Sequence, residues 1–263
     1  MPKQERQILD TPLTPKILER IEVMTSLPGN EGFDPVGTWS HTYLIWTNHG
    51  YDYGNIDAGY LTINRKPAAD GSIDLSVVTE IALLDGIGAR TSARIRCQPD
   101  SLTSPESWEL DSTFSDPSGA DLPDQNTHQK AILSDNQLTV DVNGQHTETP
   151  VGRPITGDWC LFDAVQRLPK DETHHSCDVL ERMLTVKRNQ SIRHAGETVN
   201  VVGHNLTRFT RIGVATLPTD YWVDDNGRLV LVIAYNMIYL LSDTAIDTFN
   251  ASLVEQREKA GHA

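Results

Sequence analysis

The chain has 263 residues, with 36 acids against 22 bases and a formal net charge of −14. That balance excludes a broad nucleic-acid footprint, which needs a basic surface to displace counterions, and docking on anionic lipid. A neutral sugar, an apolar ligand or a cationic partner stays open. No apolar run approaches the roughly 20 residues a membrane-spanning helix needs. The first residues, Met-Pro-Lys-Gln-Glu-Arg, lack the apolar core of a secretory signal. The expectation is a soluble protein without membrane insertion, cytoplasmic as the chain stands, or secreted or periplasmic if a signal has been removed. Cys97, Cys160 and Cys177 are odd in number and widely spaced, and they read as mostly buried thiols, with one disulfide among them as the alternative.

Residues 1–36 form a polar lead-in and a short helix. Thr14 caps it, Pro15 takes the first helical position, and Ile17, Leu18, Ile21 and Met24 give it an apolar stripe. From residue 37 the apolar period changes to two. Strands are expected at 37–48, 57–65, 72–84, 88–98 and 107–115; Ile73, Leu75 and Val77 alternate with Asp74 and Ser76 most clearly. Residues 116–126 read as a loop, followed by strands near 128–134, 137–142 and 145–149, with a hairpin turn at Asn143-Gly144.

Residues 156–168 are predicted to form a helix that is apolar nearly all round, and therefore buried, with Trp159 among its core residues. Strands return at 179–188, 191–202, 206–215, 220–225 and 228–240, and Asp225-Asn-Gly227 supplies a turn. Residues 242–263 contain a terminal helix and a charged tail. The expected fold is mainly β (α+β): a large curved antiparallel sheet or half-barrel over 37–241 that encloses a central helix, with N- and C-terminal helices.

This order of strands, central helix and long final strands, with the phrase from Pro218 to Val230 (P-x-x-Y-W-V-D-D-x-G-R-L-V), resembles the lipoprotein-carrier (LolA-like) half-barrel superfamily. The resemblance implies an incomplete barrel that closes over helical segments and holds apolar ligands between them. The polar first strand departs from that pattern.

Chemistry-bearing residues concentrate in Trp39–Tyr53, which holds five aromatics and two histidines. On a strand Trp39, His41, Tyr43 and Ile45 share one face, and Ser40, Thr42, Leu44 and Trp46 the other. His41 or His49 can serve as base and Tyr43 or Tyr53 as acid, while Trp39, Trp46 and Tyr51 offer stacking surfaces. The bland alternative makes Trp39 and Tyr43 core residues and His41 a packing residue. Asp163 on the central helix either meets ligand hydroxyls or acts as a base, or else pairs with an arginine such as Arg153, Arg167 or Arg182. Tyr221 and Trp222 are candidates for a pocket mouth, and Asp224 and Asp225 read as turn chemistry. His174-His-Ser-Cys177 reads as an exposed loop without a partner cluster, so no metal is expected. Phosphate loops, G-x-G-x-x-G, G-x-S-x-G and H-E-x-x-H are absent, and no cofactor is called for. The leading functional expectation is a small-molecule binding protein for a carbohydrate or an amphipathic ring compound. A carbohydrate lyase or glycosidase comes next, then a structural or interaction module. Oligomeric state cannot be read from these features.

Overall fold

A computed structural model describes residues 13–23, 27–29, 31–48, 55–82, 86–152, 154–170 and 174–261. Among the described residues fifteen strands form one sheet. The first eight run as an antiparallel meander: β1 (Trp39–Asn48), β2 (Asn55–Pro67), β3 (Ile73–Ala82), β4 (Gly88–Cys97), β5 (Pro105–Ser115), β6 (Thr127–Ser134), β7 (Gln137–Val142) and β8 (Gln145–Pro150). The chain then crosses to the far edge of the sheet as β9 (Ile155–Gly157), which pairs parallel with β10 (His174–Glu181). A second antiparallel run returns through β11 (Thr185–Val201), β12 (His204–Gly213), β13 (Thr219–Val223), β14 (Leu229–Ala234) and β15 (Met237–Leu241). The two runs join where β15 pairs with β1, Tyr43 opposite Leu241 and Thr47 opposite Met237.

The sheet is not closed into a barrel: β8 and β9 are its two edges. Side chains tie that seam. The Asp178 carboxylate accepts from the backbone N–H of Gly152 (2.9 Å) and of Asn189 (3.0 Å), and Arg188 donates to the Pro150 carbonyl (2.7 Å).

Three helices complete the described chain: α1 (Pro15–Val23), α2 (Cys160–Ala164) and α3 (Ala245–Gly261). The inner face of the sheet wraps α2, whose Cys160, Leu161, Phe162 and Ala164 join one core with inward residues of both runs. Outside, α1 lays Ile17 and Ile21 over Trp46, Trp222, Leu231 and Ile238. Farther along, α3 covers Leu44 and Tyr60 with Ala245 and Phe249. No described helix is long and apolar enough to cross a membrane.

Several boundaries differ from the sequence expectation. Residues 155–157 are a strand, so the central helix shrinks to 160–164, with turns continuing to 167. Trp159 stands just before it and is only half-buried. The expected strand 228–240 is two strands bent at Tyr235, which adopts φ +57° with no glycine to announce the turn. His174-His-Ser-Cys177 belongs to β10 rather than to a loop, and Cys177 is buried. The strand ends at Glu181 because Arg182 and Met183 turn with φ +52° and +54°. All three cysteines are free and buried, with Cys97 and Cys160 Sγ atoms 3.9 Å apart.

Candidate functional site

The alternation expected on β1 holds: Trp39, His41 and Tyr43 point inward, while Leu44 faces α3 and Trp46 faces α1 outside. Trp39 and His41 stack, with ring centroids 4.6 Å apart and planes at 22°. Phe33, from the segment before β1, meets the imidazole at 5.3 Å. These three rings border a recess of about 450 Å³. Glu31, Ser40, Thr42, Arg228 and Asp243 form its polar rim.

Arg228 is fixed in place. Its Nε pairs with Asp224 Oδ2 (3.2 Å), and its guanidinium donates to the carbonyls of Pro28 (2.7 Å) and Gly29 (2.8 Å). Asp224 also shapes the turn, accepting at Oδ1 from the N–H of Asn226 and of Arg228, each at 2.9 Å. Burial, helped by the nearby Arg228 charge, lowers the His41 pKa to about 4. The imidazole is therefore neutral at neutral pH. The Tyr43 hydroxyl lies 3.4 Å from His41 Nδ1 and donates its single proton to the Leu229 carbonyl at 3.2 Å. The Nδ1 contact thus calls for an N–H on the histidine side, which leaves Nε2 as the nitrogen with a free lone pair.

Of the other residues proposed from sequence, Tyr43 alone touches His41, and from the core side. Tyr43 is fully buried, and burial raises its pKa above the ordinary tyrosine range, so it does not reach the recess. Tyr221 packs edge-on against Phe162 at 6.2 Å in the core. Trp46 and Trp222 are sealed on the opposite face beneath α1, with Arg20 and Arg208 stacked at 5.0 and 5.5 Å. Asp163 is fully enclosed and pairs with Arg65 and Arg167, each at 2.7 Å, and accepts from Thr103 Oγ1 at 2.6 Å. It offers no oxygen to a ligand. His49, Tyr51 and Tyr53 lie outside the described residues. Among the described residues no group of three or more His, Cys, Asp or Glu has the proximity to hold a metal.

Sequence reasoning missed Phe33 and Arg228. Arg228 carried a readable signal, since it follows Asp224 by four residues across an Asn-Gly turn. Phe33 carried none.

No family model matches the chain, and no curated protein does. Among solved structures the chain is similar to a β-barrel-like protein of a domain of unknown function, DUF1849, from Brucella abortus. The TM-score is 0.51 at 8% identity, over 78% of this chain and 96% of that one. The likeness is one of fold alone. It agrees with a barrel-like β architecture.

Proposed function

We propose that the protein binds a small, mostly uncharged polar molecule with a flat face, such as a carbohydrate or a ring compound, in the recess beside Trp39 and His41. The observation that carries this reading is the neutral imidazole held between Phe33 and Trp39, with an acceptor nitrogen uncommitted and Arg228 locked alongside. A rigid ring stack gives a ligand apolar contact at small entropic cost, and the histidine and rim hydroxyls set its orientation. In this reading the chain shares with lipoprotein carriers a curved sheet used as a holder. Its recess is polar-rimmed where a lipid carrier needs an apolar cavity. An acid–base role for the His41–Tyr43 pair finds less support, because the Tyr43 proton is committed to a backbone carbonyl inside the core.

The test is calorimetric titration and thermal shift of the wild-type protein with neutral mono- and disaccharides and simple aromatic glycosides. A binder raises the melting temperature. His41→Ala, confirmed folded by circular dichroism, should weaken that binder by about 1–2 kcal/mol, the worth of one lost hydrogen bond with some packing. If none of these compounds binds, or if the variant binds equally well, the recess is not the site.

A further inference from the structure

The sheet presents a second, larger concavity on its outer face. On that face α1 reaches Asp57 and α3 covers Tyr60, Val78 and Ala82 at one end of β2 and β3; toward the other end of β2 to β6 a trough of about 1000 Å³ lies open. Strand register writes its floor in rows. One row runs Ser40, Asn64, Ser76, Arg94, Glu109, Lys130 across six consecutive strands. With neighbouring strands about 4.8 Å apart, that row extends about 24 Å.

The charges along the trough are unevenly satisfied. Arg96, in the next row, is saturated by Asp70, by Asp74 (3.8 Å) and by Glu106 (3.7 Å). Glu109 stands opposite Arg94 in register yet turns away, to Lys130 (3.0 Å) and His128 (3.5 Å). Arg94 therefore keeps an exposed guanidinium that no described residue pairs, in a chain with a large excess of acids. Lys66, also exposed and lining the trough, is likewise unpaired among the described residues. Between Lys66 on β2 and Arg94 on β4 stand Ser76 and the Asp74 carboxylate of β3, and Asn64 donates to Ser76 Oγ at 3.1 Å.

We infer that this trough binds an extended chain of sugar-acid units, with Arg94 and Lys66 taking ligand carboxylates and Ser40, Asn64 and Ser76 exchanging hydrogen bonds with ring hydroxyls. Length selects a chain over a single small molecule. Charge selects a sparse anion: Asp74 and Glu109 in the same trough repel a densely charged polymer but accept hydrogen bonds from sugar hydroxyls. The trough shares Trp39 and Ser40 with the recess, but Arg94 and Lys66, which carry the inference, line the trough alone.

The experiment titrates the full chain with trigalacturonate, with its fully methyl-esterified and therefore neutral form, and with inorganic phosphate, at low and high salt. The inference expects trigalacturonate to bind, to weaken as salt rises, and to lose at least tenfold in affinity in Arg94→Gln, with a smaller loss in Lys66→Gln. Both positions are solvent-exposed, so folding is preserved. Failure of trigalacturonate to bind, equal binding of the methyl ester, phosphate binding as tightly as the trisaccharide, or an unaltered Arg94→Gln variant would each overturn it.

Discussion

Arg65 on β2 and Asp163 on α2 meet inside the sheet, Nε to Oδ1 at 2.7 Å, with 5% and 0% of their side chains exposed. Arg167 closes on the other carboxylate oxygen at 2.7 Å and reaches the Asp100 carbonyl at 3.1 Å. The central helix is thus pinned to the sheet by one carboxylate between two guanidiniums. A buried ion group is costly to break because the stranded partner stays out of water. Asp163→Ala strands two. It should lower the unfolding free energy by about 3–5 kcal/mol, measured by chemical denaturation followed by tryptophan fluorescence. The triple replacement Asp163→Leu, Arg65→Met, Arg167→Met should recover most of that loss. A single variant within about 1 kcal/mol of wild type would contradict the role assigned to this network.

His41 makes stability depend on pH. Its pKa falls from 6.5 when unfolded to about 4 when folded. Between those values the unfolded chain binds a proton that the folded chain refuses, so stability rises with pH across the window. Acidification from 6.5 to 4 therefore removes about 3 kcal/mol, and above 6.5 the group contributes nothing. Asp158 acts in the opposite sense. Burial pushes its pKa from 3.8 up to about 6, so the folded chain holds a proton there that the unfolded chain releases. Melting temperature measured against pH should flatten over this range in His41→Gln and fall more steeply on the acid side in Asp158→Asn. Profiles superimposable on the wild type would refute both assignments.

Gly59 sits on β2 where its register with β1 shifts between Ile45 and Trp46. A Cβ there would stand 2.0 Å from the Glu80 carbonyl oxygen of β3. The neighbour is backbone and cannot swing aside, so Gly59→Ala must open the β2–β3 ladder, at a cost of about 3 kcal/mol or more. Gly29→Ala is the matched control: nothing lies within 4 Å of its Cβ position, and its melting temperature should stay near that of the wild type.

Phe162 gathers three tyrosines edge-on: Tyr43 at 5.3 Å, Tyr239 at 5.7 Å and Tyr221 at 6.2 Å. Phe162→Ala should cost about 3–5 kcal/mol, as for a large core aromatic. The half-buried Trp159 should cost less when truncated. Equal losses in denaturation curves would mean that the centre of the core is misplaced.

The alternation of Ile73, Leu75 and Val77 was readable because one face of β3 is buried and the other is wet. The faces of β1 were equally readable, and the apolar wrap of 160–164 announced its burial. What periodicity could not tell was which buried face held a site. Around Tyr43–Trp46 both sides of β1 are covered, inward by the core around α2 and outward by α1 and α3, so Trp39 and Trp46 look alike in sequence and differ in what packs on them. Arg228 joins His41 from a distant strand. The bend at Tyr235 went unread because its left-handed residue is an aromatic where a glycine is the usual signal.

The β1–β15 ladder has a consequence for synthesis. β1 and β15 meet in the middle of the sheet, so during synthesis β1 waits for β15, about 190 residues later, before its second edge is filled. Until then Tyr43-Leu-Ile-Trp46 presents an apolar strand edge, and α1 lacks the β14 and β15 residues it rests on. Such long-range closure places folding among slow, non-local β topologies. The nascent N-terminal meander is the species most exposed to edge-to-edge association, and truncations that remove β15 should leave it insoluble.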